Sequence, residues 1–483
     1  MDGLNAVELS LDEMLEDNEK FRFDSEFFKK EYLETYDFIK NKMEGIQLGN
    51  ICSVLTDFSS NGSYKTIAEN FELLDDVDYA YMVRTTDLEK QDYVNDVKYV
   101  NESSYEFLSK SKVYGGELLI NKIGCPGKTF LMPVLNKPVS LGMNLLMLRI
   151  KEDSIYKEPF LWAYFNSRHG KNMIFRKVNG TVPQTIDKEA IKTLFIPKMS
   201  DVFVQKVIEL ISKKELYVKR YTYLFNEIEQ LLYGFLEYND NILNQSNNSI
   251  RTLKDSFLFS GRLDSEYYLK KYDSLFEFIK GKQHDYLFKL VKINKSNEPG
   301  SAYYVEDEGI PFVRVAELSK YNVGIPKLKL DPNYDFTKNR IPKKSDILLS
   351  KDGSVGIAHY IYEEPNYVVS SSILQLSVKD SKIILPQYLT SVLNSKLVNM
   401  QSIRDTGGSI INHWSVDEIN QVLIPILEMD KQKIISKKYD EACVEVINSK
   451  LVYDYAVKAV DLYFENGEQS AIEYINDKLN KFN

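Results

Sequence analysis

The chain is poor in the residues that most often carry chemistry. Its 483 residues include three cysteines, four histidines and two tryptophans. Cys52, Cys125 and Cys443 have neither metal-ligand nor redox spacing, so no metal is expected and a reducing compartment is the simple expectation. His169, His284, His359 and His413 stand singly, and a lone histidine is far more often structural or solvated than catalytic. No stretch reaches the ~18 apolar residues of a membrane span. The segment Met1–Glu19 carries seven acidic residues before the first lysine and no apolar run, which argues against a signal peptide and for a cytoplasmic protein. Catalytic motifs are missing as well. There is no Asn/Asp-Pro-Pro-Tyr/Phe to hold a base amino group, no glycine-rich loop after a strand, and no His-Glu-x-x-His. Gly127-Lys128-Thr129 matches the end of a phosphate-binding loop, but Lys122 stands where the first glycine is needed. No catalytic residue and no cofactor are therefore expected.

What the chain does contain, it contains twice. Phe21–Lys40 reads FRFDSEFFKKEYLETYDFIK and Gly261–Lys280 reads GRLDSEYYLKKYDSLFEFIK. Tyr81-Met82-Val83-Arg84 answers Pro311-Phe312-Val313-Arg314, and the block from Gly116 to Gly124, GELLINKIG, answers Ser345 to Gly353, SDILLSKDG. Asn166-Ser167 answers Asn394-Ser395, Gly180–Gln184 (GTVPQ) answers Gly408–Asn412 (GSIIN), and Ile196-Pro197 answers Ile424-Pro425. A spacing of 240 residues between the openings exceeds the roughly 20–50 residues of solenoid repeats, so it marks two duplicated domains. The carboxylates Asp24/Glu26 and Asp264/Glu266 recur beside Arg22 and Arg262, and salt bridges that anchor each opening segment are the expected reading.

Each half begins with an aromatic-rich segment and continues into short apolar or β-branched runs: Ala80–Arg84, Glu117–Lys122 and Leu145–Ile150, then Pro311–Val315 and Asp346–Lys351. Pro159–Asn166 and Pro386–Asn394 read as helices that begin at proline. After each core the period changes to alternating steps of three and four. Val204, Val207, Ile211, Lys214, Val218, Tyr221, Phe225, Ile228, Leu232 and Phe235 predict one long helix with a polar seam residue, Lys214; Ile435 through Tyr463 predict another, with Ser449 as its polar member. The two are expected to pair, each spanning on the order of 45 Å at about 1.5 Å per residue. Tyr238–Ile250 has five asparagines and reads as a linker. The expected class is α+β: two tandem mixed α/β domains separated by long paired coiled-coil-like helices, with pseudo-twofold symmetry.

A net charge of −9 argues at first against nucleic acid. Its distribution weakens the objection: Met1–Gly49 carries −7, Asn50–Lys198 carries +1, and Asp285–Pro425 is neutral. Arg168, Lys171, Arg176 and Lys177 fall in one stretch free of acids.

The repeated Arg-x-Asp-Ser-Glu opening, the Gly/Ser-Glu/Asp-(apolar)₃-x-Lys-x-Gly block, the Asn-Ser pair, the Gly-Thr/Ser-x-x-Gln/Asn turn and the Ile-Pro before a long helix together resemble the DNA specificity (S) subunits of type I restriction-modification systems. The resemblance covers nearly the whole chain, twice. It implies two target recognition domains, each reading half of a bipartite double-stranded DNA site, and a helical spacer that sets the gap. It also implies that methyl transfer and cleavage belong to partners: DNA methyltransferase subunits and, as a further partner, a restriction or translocase subunit. The corresponding divisions are 1–20, an acidic leader; 21–198, the first recognition domain; 199–237, a spacer helix; 238–260, a linker; 261–425, the second recognition domain; and 426–483, a C-terminal spacer helix and tail.

Base recognition needs donors and acceptors on loops, with glycine where the backbone must come close. The residues expected to contact DNA are Arg176, Lys177, Asn179, Thr181 and Gln184 in the first half, and Arg404, Ser409, Asn412 and His413 in the second. Gln184 and Asn412 suit bidentate contacts to adenine, with Gly180, Gly407 and Gly408 beside them. Lys122 and Lys351, at matching positions after an apolar strand, are the expected phosphate contacts. The acidic leader has no counterpart before the second half. It reads either as an amphipathic helix, with Leu4, Val7, Leu11, Met14 and Leu15 on one side, that docks on a partner subunit, or as a disordered tail. The competing expectation for the whole chain is a scaffold of similar build that binds proteins in an antiviral defence complex without reading sequence.

Overall fold

The apolar block that recurs in both halves becomes the central strand of each. In a computed structural model that describes residues 7–18, 20–93, 97–180, 182–245, 248–305, 308–336, 341–406 and 412–482, Leu118–Asn121 and Ile347–Ser350 are buried along their whole length. Side chains alternate across a strand, so three consecutive apolar residues require cover on both faces. Leu118 and Ile120 enter one core while Leu119 enters another. Ile347 and Leu349 part from Leu348 in the same way.

The chain divides into two units, the first comprising Met1–Leu88, Tyr93–Tyr217 and Asn448–Asn483, the second Glu89–Asp92 and Val218–Ile447. In the first, an antiparallel sheet has the order Cys52–Asp57, Leu145–Ile150, Leu118–Asn121, Thr129–Leu131. A second sheet runs Lys98–Val100, Ala80–Val83, Val139–Leu141, Lys112–Val113, its central pair parallel. The second unit repeats the first sheet strand for strand as Val291–Lys295, Ile373–Val378, Ile347–Ser350, Ala358–Tyr360. Its other sheet again holds one parallel pair, Ile310–Val313 with Val368–Val369. The Ile-Pro segments close two-stranded sheets, Ile46–Gln47 with Phe195–Ile196 and His284–Tyr286 with Leu423–Pro425.

The recurring Asn-Ser pair has a structural cause. Asn394 donates to Ala358 O at 2.7 Å and accepts from Ala358 N at 3.0 Å, so its carboxamide completes the edge strand Ala358–Tyr360. Asn166 donates to Thr129 Oγ1 at 2.7 Å on the corresponding edge. The serines manage the chain reversal into the following helices, Arg168–Lys177 and Lys396–Thr406: Ser167 Oγ accepts from Gly170 N, and Ser167 and Ser395 each donate to a carbonyl three residues back.

The long helices run over Asp201–Leu236 and Met429–Asn466, 36 and 38 residues. Each is shared between units. In the first unit Val204, Val207 and Ile211 share a core with Val452, Ala456 and Val460, and with Ala471, Ile475 and Leu479 of the helix Glu468–Lys481. In the second unit Ile228, Leu232 and Leu236 share a core with Ile435 and Tyr439. The seam lysine, Lys214, places its ammonium 3.3 Å from the centre of the Tyr453 ring, which stacks on Trp162 at 3.7 Å. Each unit also receives a cap from a long helix. Asp461 Oδ1 accepts from Arg168 N at 2.9 Å, and the Tyr233 hydroxyl accepts from Lys396 N at 2.9 Å.

The described part of the leader forms a short helix, Leu11–Leu15, capped by Ser10 and Glu13, with Leu11 and Leu15 exposed. Asp17 pairs with Lys40, and Lys177 Nζ reaches Asp17 O at 3.4 Å. Leu4 lies outside the described residues. Among the described residues no helix is long and apolar enough to cross a membrane, and no group of three or more histidine, cysteine, aspartate or glutamate side chains could hold a metal ion.

Candidate nucleic-acid interface

Two segments far apart in sequence meet at the same place in each unit. The first is the loop that leaves the central strand. Lys122 follows Asn121, and Gly124 and Gly127 take φ of +89° and +86°, a region costly for residues with a Cβ. In the second unit Gly353 and Gly356 do the same at +70° and +84°. The second segment is the turn that follows the helix Arg168–Lys177 or Lys396–Thr406.

The backbone joins them in matching register. Gly124 N donates to Gln184 O at 3.2 Å and Ile186 N donates to Lys122 O at 3.0 Å; Gly353 N donates to Asn412 O at 3.0 Å and Trp414 N donates to Lys351 O at 2.8 Å. Asn179 and Thr185 exchange both backbone bonds at 2.8 Å, closing a turn with Gly180 at φ +85°. The backbone carbonyls of Gln184 and Asn412 are used in this junction, and their side chains are exposed. A carboxamide offers both a donor and an acceptor, the pairing that an adenine edge presents in the major groove. His413 is exposed too and pairs through Nδ1 with Asp352. Asn179 is half-buried. Thr181 and Ser409 lie outside the described residues, as do Gly407 and Gly408.

The cations expected to contact DNA lie against aromatic rings, the leader or carboxylates. Arg176, 3% exposed, lies 4.4 Å from the Phe27 ring centre and 4.1 Å from that of Tyr36, and burial pushes its guanidinium pKa down. Arg404 takes the equivalent position, 3.8 Å from Tyr267 and 4.8 Å from Phe276. Lys177 is buried against the leader. The physical reason is the opening segment: its aromatic residues at positions matched in the two halves form a ready cleft for a planar cation. In the sequence, the acid-free stretch with Arg168, Lys171, Arg176 and Lys177 suggests a basic surface, whereas its Arg176 is enclosed by rings.

Lys122 and Lys351 do occupy equivalent positions, and each meets a carboxylate. Lys122 Nζ lies 2.8 Å from Asp57 Oδ2, and Lys188 Nζ lies 3.1 Å from Oδ1. Burial raises the Asp57 pKa, but hydrogen bonds from Lys122, Ser60, Ser59 and Lys188 outweigh it and hold the carboxyl well below the usual aspartate range. Lys351, buried, lies 2.6 Å from Asp352. Asp57 and Lys188 are the residues of this cluster that sequence reasoning did not single out, since nothing in their spacing links position 57 to position 188. Asp405, beside the second turn, accepts from Trp414 Nε1 at 3.2 Å, and burial raises its carboxyl pKa to about 6.

Residues 287–450 match the family described as Type I restriction modification DNA specificity domain. No curated protein is matched by the chain. Among solved structures it is similar to the type-I restriction-modification system S subunit from M. genitalium, at 12% identity, covering 89% of this chain and 98% of that one with a TM-score of 0.31. It is similar also to the HsdS subunit from Thermoanaerobacter tengcongensis, at 14% identity, 88% and 97% coverage and a TM-score of 0.27. A third similar chain comes from a study of complex assembly and conformational transition of the type I R-M system, at 12% identity, 90% and 96% coverage and a TM-score of 0.28.

Proposed function

We propose that this chain is the DNA-reading subunit of a type I restriction-modification complex, with each unit reading one half of a bipartite duplex site. The observation that carries the proposal is the twin junction of loop and turn, which presents an exposed carboxamide, Gln184 or Asn412, at the same backbone register in both units. With Asn179 and His413 beside them, these side chains are the proposed base contacts; Thr181 and Ser409 complete the two turns in sequence. A bidentate contact to a base edge is worth about 1–3 kcal/mol of discrimination. Lys122 and Lys351 are proposed to reach phosphates by exchanging an internal carboxylate for an external anion. That exchange gives little net gain and explains how an acidic chain reads DNA with modest affinity of its own.

On this reading the chain is not an enzyme and works in the cytoplasm. Methyltransferase subunits, and a restriction or translocase subunit where one is present, supply chemistry and much of the phosphate contact. The test is co-expression with its methyltransferase partner, followed by single-molecule sequencing of host DNA for modified bases. A bipartite motif is expected, with Gln184→Ala relaxing one half and Asn412→Ala the other. Stable assembly with no modified motif would overturn the reading in favour of a scaffold.

A further inference from the structure

Each unit contains one device that neither the base contacts nor the sheets require, and it is built twice from the same residues. In the first unit the Arg22 side chain, 11% exposed, gives Nε and Nη2 to the two oxygens of Asp24 at 2.7 Å each. Its remaining nitrogen, Nη1, donates to Val178 O at 2.6 Å and Arg176 O at 3.2 Å. In the second unit Arg262 gives Nε and Nη2 to Asp264 at 2.8 and 2.7 Å, and Nη1 to Asp405 O at 2.6 Å. The accepting carbonyls lie in the last turn of the helices Arg168–Lys177 and Lys396–Thr406 or just beyond. Such carbonyls lack an intrahelical partner, and a cation there is favoured by the helix dipole.

Both devices continue into the same ladder. The Phe27 ring lies between Arg22, at 4.9 Å, and Arg176, at 4.4 Å. The Tyr267 ring lies between Arg262, at 4.5 Å, and Arg404, at 3.8 Å. One arginine therefore holds the end of the helix from outside, while the other, projecting from that helix, is held by the same ring. Each clamp acts at the stem of its turn. The Asn179–Thr185 pairing begins one residue beyond Val178, and Gln184 follows six residues after it.

We propose that Arg22 with Asp24, and Arg262 with Asp264, are positioning residues for sequence discrimination: they fix the direction in which the helix end delivers its turn to the DNA. The proposal rests on the DNA-reading function argued above. Only a planar guanidinium can bind a carboxylate through two nitrogens and a carbonyl through a third; lysine offers a point charge and loses the direction. Since the two units carry separate clamps, each serves as the other's control.

The test uses the full chain assembled with its methyltransferase partner and a pool of duplexes with randomised sequence, from which bound duplexes are selected and sequenced. The native chain is expected to select a bipartite motif. Arg262→Lys is expected to lower discrimination at one half-site about tenfold, the scale of a single mis-set bidentate contact, while the other half-site, the affinity for random duplex and the unfolding transition stay in place. Arg22→Lys is expected to do the reverse. Asp264→Asn, which leaves the guanidinium on Asp405 O but frees its plane, is expected to repeat the Arg262→Lys pattern more weakly. Unchanged discrimination overturns the proposal, as does equal loss at both half-sites. Loss of discrimination that appears only together with an unfolded second unit, in both Arg262→Lys and Asp264→Asn, also overturns it and makes the clamp purely architectural. If the native chain itself selects no motif, the DNA-reading function fails and the clamp proposal fails with it.

Discussion

Replacing Arg176 with alanine separates a phosphate contact from a packing role, because the two predict opposite changes in two measurements. The guanidinium lies against two rings at 4.1 and 4.4 Å, and its side chain is almost fully enclosed. A sheltered cation–π contact is worth about 1 kcal/mol per ring. The two methylenes lost on truncation add roughly 0.8 kcal/mol each. Relief of the desolvation that lowers the arginine's pKa returns part of this, leaving a net loss of about 2 kcal/mol for the first unit. The assay is built into the chain, whose only two tryptophans are Trp162 and Trp414, one in each unit. With urea slopes of about 1–3 kcal/mol/M, the transition reported by Trp162 should move down by about 1 M while that reported by Trp414 stays. DNA affinity measured against salt should keep its slope, since a lost phosphate contact would reduce it by about 0.9. An unmoved Trp162 transition with a slope reduced by that amount would refute the reasoning and restore Arg176 to the interface.

Three further outcomes follow from the same structure. Asn394→Ala leaves the N–H and C=O of buried Ala358 without their partner and should cost the second unit about 3 kcal/mol, read as an earlier Trp414 transition in urea. Asp57→Asn should cost the first unit about 1–2 kcal/mol at neutral pH, discounted because Lys122 and Lys188 remain partly open to water. The native Asp57 carboxyl is held below its unfolded value near 3.9, so its contribution is present above that pH and lost as the pH falls toward the folded value; a pH series of urea midpoints should show the variant less sensitive to acid in that range. Asp405 has the opposite sign. Its folded pKa of about 6 lies above the unfolded value, so the Asp405 contribution is most favourable below pH 4 and is lost as the pH rises through 6; Asp405→Asn should stabilise the second unit by about 2 kcal/mol at pH 7, the difference from the native chain vanishing below pH 4 in the same measurement.

Much of the fold was legible because the sequence repeats. The strands expected at Ala80–Arg84, Glu117–Lys122 and Leu145–Ile150 are present as Ala80–Val83, Leu118–Asn121 and Leu145–Ile150, and the proline-led helices as Glu158–Asn166 and Pro386–Leu393. The steps of three and four located helices of more than 30 residues. The salt bridges expected at Arg22 and Arg262 are formed. The helices Arg168–Lys177 and Lys396–Thr406 were not legible as helices, because their apolar residues follow no sustained helical period and Gly170 interrupts the first. Nor was the fate of their arginines. A basic stretch free of acids has the same composition whether it faces water or a pair of rings, and only the rings' matching positions distinguish the cases. The second sheets were largely invisible because many of their strands are two to four residues long and their pairings join distant segments.

The division of the long helices has a consequence for the order in which the chain can fold as it is made. The core of the first unit includes Val452, Ala456, Val460 and the helix Glu468–Lys481, whereas almost all of the second lies within Val218–Ile447. At roughly 5–20 residues per second, about 10–50 s separate the emergence of Tyr217 from that of Asn448. Through that interval Trp162 and its neighbours wait with one side open, and the half that is translated first is the half that is finished last.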